Sequence, residues 1–133
     1  MHQDRIRVLI ADDNKDFVTM LSTRLSLYPD MEIAGVARDG VETLRQIERL
    51  SPDVLLLDIV MPELNGLDVL EKLRDSGKDR PAVFVLSAIG SEQIVRQALA
   101  LGAAFYFIKP CSTEDMIGKV RAVIAETGGA PAN

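Results

Sequence analysis

Asp53-Val54-Leu55-Leu56-Leu57-Asp58-Ile59-Val60-Met61-Pro62 is the stretch whose reading decides the fold. Val54 to Leu57 is an unbroken apolar run, as expected of a strand buried on both faces of a parallel sheet. The run ends on a carboxylate, Asp58, and Pro62 stops the extended segment four residues later. Ligands of open α/β sheets sit outside the carboxyl ends of the strands. Asp58 therefore stands where function is expected.

Outward from this stretch, strand and helix alternate. Ile6 to Ala11 reads as the first strand and ends in Asp12-Asp13. Asn14 or Asp13 caps a helix expected to run to about Leu27, with Phe17, Met20, Leu21, Leu25 and Tyr28 on one side. Pro29-Asp30 breaks it. Glu32 to Ala37, interrupted by Gly35, is a weaker strand and is placed at an edge. Asp39-Gly40 turns into a helix with Val41, Leu44 and Ile47 inward, and Pro52 precedes the central strand. After Asn65-Gly66 a helix carries Leu67, Leu70 and Leu73 to Ser76-Gly77. Pro81 leads into Ala82 to Ser87, a fourth strand. Gly90 or Ser91 opens a helix with Ile94, Val95, Ala98 and Leu99 inward, closing at Gly102. Phe105 to Lys109 is the fifth strand, stopped by Pro110. Ser112 or Thr113 opens the last helix, which buries Met116, Ile117, Val120 and Ile124.

Right-handed crossovers turn this alternation into a doubly wound α/β domain. A five-stranded parallel sheet of order 2-1-3-4-5 with helices on both faces is one of the two common solutions. Residues 1–126 form one domain, and 127–133 (Thr-Gly-Gly-Ala-Pro-Ala-Asn) read as a flexible tail or the start of a linker.

Composition removes several classes of function. A formal charge of −5 argues against this chain itself gripping nucleic acid, which requires a basic patch. His2 is the only histidine, which excludes a His-based triad or a His-rich metal site. No apolar run approaches the ~20 residues of a membrane-spanning helix. Met1 to Arg5 lack the build of a signal peptide, and the single Cys111 cannot form an internal disulfide. Both point to the cytoplasm as the expected location.

The switch point of the sheet puts Asp12, Asp13 and Asp58 at one end of adjacent strands, with Ser87 and Lys109 closing the next two. Two carboxylates about 4 Å apart repel by about 4 kcal/mol even at an effective dielectric near 20. Three are tolerable only with a cation between them. All-oxygen donors suit Mg²⁺, or another divalent ion such as Mn²⁺ or Ca²⁺. Such an ion would screen Asp58 and hold a phosphoryl group by its oxygens. Ser87 offers a hydroxyl and Lys109 a point charge to the same oxygens, leaving Asp58 as a nucleophile that forms an aspartyl phosphate. Singly, each residue has an ordinary explanation: a helix cap, a turn carboxylate, a loop serine, a surface lysine. Their joint placement is what carries the chemistry.

The set Asp12-Asp13-Asn14, Asp58 to Pro62 with Gly66, Leu86-Ser87-Ala88 and Lys109-Pro110 resembles the receiver domain of bacterial two-component response regulators over residues 5–126. Within that family it is similar to the receivers of the stage 0 sporulation transcription regulators. The segments concerned are Ala11 to Asn14, Pro29 to Glu32, Leu56 to Pro62, Leu101 to Ala103 and Tyr106 to Pro110.

The resemblance implies a CheY-like fold and phosphorylation of Asp58 by a histidine kinase or histidine phosphotransferase. It implies a divalent ion on Asp13, Asp58 and the Val60 carbonyl, with Asp12 helping through water. Ser87 and Lys109 would contact the phosphoryl oxygens, Tyr106 would be the switch aromatic, and the Lys109-Pro110 bond would be cis. The donor protein would dock on Asn14, Lys15 and Val18. The face of the fourth helix, fifth strand and fifth helix, carrying Gln93, Arg96, Gln97, Lys119 and Arg121, would form a homodimer or release a downstream domain. DNA would be reached only through an effector domain outside this chain. A stand-alone receiver that relays phosphate or acts as a partner-binding switch is the alternative. Cys111 stands where an aromatic is common, which questions packing beneath the last helix. Val60 and Ile89, both branched and apolar, are expected to flank the water approach to Asp58 and make the phosphoform slow to decay.

Other uses of the same topology fit less well. A flavodoxin-like cofactor binder needs a hydroxyl- and glycine-rich first loop, where Asp12-Asp13-Asn14-Lys15 would repel a phosphate. A dinucleotide binder needs Gly-x-Gly-x-x-Gly there, and a phosphatase working through an aspartyl phosphate would place an acid where Val60 stands.

Overall fold

The computed structural model describes residues 5–77 and 80–127. Its elements alternate as β1 (Ile6–Ala11), α1 (Lys15–Leu25), β2 (Met31–Ala37), α2 (Gly40–Leu50), β3 (Val54–Leu57), α3 (Gly66–Asp75), β4 (Ala82–Ser87), α4 (Glu92–Ala100), β5 (Phe105–Ile108) and α5 (Thr113–Thr127). The five strands form one parallel sheet of order β2-β1-β3-β4-β5. This is the architecture expected from the alternation, with the weak strand at the edge.

Side-chain alternation along each strand divides the core into two layers. Val8, Ile10, Val54, Leu56, Phe84 and Leu86 face one side and pack with Leu21 and Leu25 of α1 and Met116, Ile117, Val120 and Ile124 of α5. Leu9, Ala11, Leu55, Leu57, Val83 and Val85 face the other, against Val69, Leu70 and Leu73 of α3 and Ala98 of α4. All four β3 residues are buried because both faces of the strand are covered. Thr127, expected to open a tail or linker over 127–133, is instead the last residue of α5, and residues 128–133 lie outside the described residues.

Several local expectations need correction. α1 ends at Leu25, two residues earlier than expected. The Ser26, Leu27 and Tyr28 N–H groups donate to Ser22, Arg24 and Leu25 carbonyls in a tightening turn. Leu27 is 76% exposed, so no burial rewards another helical residue. Val41, Leu99 and Met20, expected inward, remain exposed over 36–44% of their surface. On α2 the fully buried position is Thr43, whose hydroxyl donates to the Asp39 carbonyl at 2.7 Å, and Val41 falls on the opposite side of the helix. β2 starts one residue earlier than expected, at Met31 opposite Ile6, and its register shifts at Ala34. Gly35 follows that bulge, and a Cβ there would lie 2.8 Å from Leu50 Cδ1, so the glycine admits α2 to the sheet.

Arg121 does not sit on the face of α4, β5 and α5. Its guanidinium grips Asp30, in the α1–β2 turn, through two hydrogen bonds of 2.8 Å. It therefore ties α5 to the far side. Cys111 is half-buried against the first core layer, and burial pushes its thiol up, so it fills the aromatic's place as a small apolar group. β5 ends at Ile108, one residue short of Lys109, although the Lys109 N–H still donates to the Ser87 carbonyl. The Lys109–Pro110 bond is cis.

Candidate functional site

Parallel pairing brings the strand ends together. Ala11 is opposite Leu57, Leu57 opposite Val85, and Ser87 opposite Ile108. One residue further on, the Asp12 N–H donates to the Ala37 carbonyl and the Asp58 N–H to the Ala11 carbonyl. The sheet thereby carries both acids past its edge with their backbone N–H groups paired.

One carboxylate oxygen from each of Asp12, Asp13 and Asp58 lies within 4.8 Å of the others. Asp12 and Asp58 are buried, 2% and 8% exposed, while Asp13 is open to solvent. Asp12 Oδ1 accepts from the Asn14 N–H at 2.9 Å, and Asp12 Oδ2 from Lys109 Nζ at 2.7 Å. The same ammonium is 3.7 Å from Asp58 Oδ2. Loss of solvation raises the Asp58 carboxyl above its ordinary range. Lys109 opposes that, Asp12 reinforces it, and the Ser87 hydroxyl and Val60 N–H hold it down.

Three carboxylates thus face one ammonium. That hard, anionic oxygen set fits a divalent cation, and Asp13 opens it to water, as a partly hydrated ion requires. Asp12, Asp13 and Asp58 are the side chains that would hold it.

The loop after β3 is fixed by close packing. A Cβ on Gly66 would lie 2.4 Å from the Asp58 carbonyl oxygen and 2.8 Å from Ile59 Cα. The Gly66 N–H donates to the Ile59 carbonyl at 2.8 Å. Asn65 caps α3 in a reciprocal box with Asp68, which anchors the far end of the loop. Val60, in the middle, is 57% exposed.

Across the cluster, Ser87 is fully buried, and its Oγ accepts from the Ile89 N–H at 3.2 Å. The Tyr106 hydroxyl donates to the Ile89 carbonyl at 2.5 Å. Burial raises the Tyr106 hydroxyl; the Ser87 contact lowers it and the Asp58 charge raises it further. Ser87, Ile89 and Tyr106 therefore form one linked group beside Asp58.

The residues expected to meet a donor are less uniform. Asn14 is committed to the α1 N-cap, its Oδ1 accepting from the Phe17 N–H. Val18 is half-buried and packs against the core, while Lys15 is exposed. Lys15 and Val18 line a cavity of about 140 Å³ together with Asp12, Asp13, Thr19, Val36 and Arg38, so they do border the acidic site. Phe17 was legible only as a core position. Its ring in fact lies under Lys109, with Nζ 3.9 Å from the centroid. Helical spacing has no means of separating a core aromatic from one turned to a cation at the sheet edge.

The response regulator receiver domain model matches residues 8–121. Solved structures similar to this chain include the signal receiver domain of the response regulator NarL from Mycobacterium tuberculosis. That match has 33% identity and a TM-score of 0.82, over 95% of this chain and 98% of that one. The response regulator domain of Thermotoga maritima CheB matches at 30% identity and TM-score 0.84, over 91% and 97%. A chain of the CheX–CheY–BeF₃–Mg²⁺ complex from Borrelia burgdorferi matches at 29% and 0.79, over 90% and 89%. With the acidic cluster, the strand order and these matches together, the chain belongs to the family of response regulator receiver domains.

Proposed function

We propose that Asp58 accepts a phosphoryl group from a histidine kinase or histidine phosphotransferase with a divalent cation, Mg²⁺ foremost, on Asp12, Asp13, Asp58 and the Val60 carbonyl. Receiver domains are signalling phosphoacceptors and bind Mg²⁺ through an acidic pocket. The observation that carries the reading is the position of Lys109 Nζ, 2.7 Å from Asp12 and 3.7 Å from Asp58, over three clustered carboxylates. That ammonium and the Ser87 hydroxyl are placed to donate to phosphoryl oxygens built on Asp58. When bound, the cation supplies charge neutralisation for those oxygens. The similarity to a chain captured with BeF₃ and Mg²⁺ supports the same assignment.

The output reading is narrower. A new dianion at Asp58 draws in Ser87, and the linked Ile89–Tyr106 group transmits that movement to the face of α4, β5 and α5. That face then pairs with a second copy or releases an effector domain following residues 127–133. The segments quoted above support a sporulation transcription regulator working in the cytoplasm, with DNA bound by the effector.

Two measurements test this. Label from a phosphorylated histidine phosphotransferase should move to the chain and stay off Asp58→Asn; equal labelling of both would refute the assignment. A gene continuing into a helix-turn-helix domain would support the transcriptional output, whereas one ending after α5 would leave a stand-alone relay.

A further inference from the structure

We propose that Phe17 is a positioning residue for phosphoryl transfer, its ring holding the Lys109 ammonium over the acidic cluster. The proposal rests on Asp58 being the phosphoacceptor.

A lysine head rides on a flexible four-carbon stem and has no preferred seat of its own. Here it has one. Nζ lies 3.9 Å above the Phe17 ring centroid, within the ~6 Å over which an aromatic face attracts a cation. The Lys109 side chain is only 18% exposed, and that attraction strengthens as water is excluded. The ring is itself fixed. Phe17 packs against the core layer beneath α1 and α5, its N–H donates to Asn14 Oδ1, and the Asn14 N–H donates to Asp12 Oδ1. Ring, helix cap and acid thus form one continuous set of contacts, and Asp12 Oδ2 closes it on Lys109.

The chemical reason for an aromatic seat is its neutrality. Asp12 also holds the ammonium, but its charge is wanted by a cation in the cluster. A cation held by Asp12 would weaken that ion pair, while the Phe17 ring, which binds no metal, would keep its hold on Lys109. When a phosphoryl group arrives on Asp58, Nζ can turn from Asp12 to the new oxygens without leaving the ring face. Loss of the ring should therefore slow transfer and leave cation affinity alone.

Phe17→Leu keeps an apolar side chain in place and removes the π face; Phe17→Tyr keeps both. With acetyl phosphate at saturating Mg²⁺, Phe17→Leu should label roughly 3–10-fold more slowly, the range a partly buried cation–π contact supports. Phe17→Tyr should stay within about twofold of the parent, and calorimetric Mg²⁺ affinity should be unchanged in both. Phe17→Met serves in place of Leu if α1 is destabilised in a thermal melt. A second readout needs no phosphodonor: the Lys109 ε-methylene proton resonances should be shifted upfield by the ring in the parent and in Phe17→Tyr, and relax in Phe17→Leu. Parental labelling by Phe17→Leu, or equal slowing by Phe17→Tyr, would overturn the proposal. So would an ε-methylene shift indifferent to the ring. A parent that takes no label would instead overturn the acceptor reading, with the ring contact still decided by the resonance.

Discussion

At the scale of single residues, the site is governed by close packing as much as by charge. Gly66 is the clearest case, because a Cβ there would meet the carbonyl of Asp58 itself. Gly66→Ala should lower stability by about 1–3 kcal/mol, the usual cost of overpacking. Urea unfolding with Mg²⁺ titration should show weaker cation binding alongside it. Unchanged values of both would mean the loop yields freely. Val60 and Ile89 are expected to set the lifetime of the phosphoform. Ile89 is held at both backbone groups, by Ser87 and Tyr106, and neither side chain can orient a water by hydrogen bonding. Positioned acid–base help is commonly worth about 10²–10⁴-fold. Val60→Asn with Ile89→Glu should therefore shorten the half-life of the phosphoform by about tenfold or more, measured by loss of the added mass with time. The acids and Lys109 were legible because strand ends in a parallel sheet share an edge. The Phe17 ring contact with Lys109 and the backbone links of Ile89 to Ser87 and Tyr106 were not, since a ring face and a main-chain hydrogen bond leave no trace in residue type.

At the scale of elements, apolar runs and breakers located every strand and helix, the apolar run Val54 to Leu57 marked the central strand, and the alternation with right-handed crossovers led to the strand order. What failed was the margin of two helix stripes: Leu44, Ile47, Ile94 and Ala98 pack with the core as expected, while Val41 and Leu99 are exposed. Val41 and Leu99 are apolar residues at near-correct spacing, but Thr43 and Ala98 take the deepest positions because small or self-bonded side chains let α2 and α4 approach the sheet. Arg121 was misplaced for a related reason: charge alone does not say which flank of α5 a side chain leaves from. Its pairing with Asp30 joins α5 to the α1–β2 turn, and the Arg121 hydrogen bonds hold the Asp30 carboxyl below its usual 3.8. A depressed carboxyl stabilises the fold above its unfolded value and loses that contribution as pH falls through its folded one. Both groups are well exposed, so Asp30→Asn should cost less than about 1 kcal/mol at pH 7. The difference from the parent should vanish in unfolding curves recorded progressively below pH 4. A gap that persists in strong acid would show that the cost does not come from the charge on Asp30.

At the scale of the whole molecule, one edge of the sheet gathers acids, hydroxyl and ammonium, and the linked group of Ser87, Ile89 and Tyr106 leads from it toward α4 and β5. Beryllofluoride with Mg²⁺ should therefore shift amide resonances of α4 and β5 as well as those around Asp58. Shifts confined to the acidic edge would remove the proposed output route. The central claim is chemical, and intact mass addresses it most directly. After incubation with acetyl phosphate and Mg²⁺, the chain should gain one phosphoryl group, Asp58→Asn should gain none, and omission of the cation should suppress the gain. An adduct of equal size on Asp58→Asn, or none on the parent with any phosphodonor, would contradict the account.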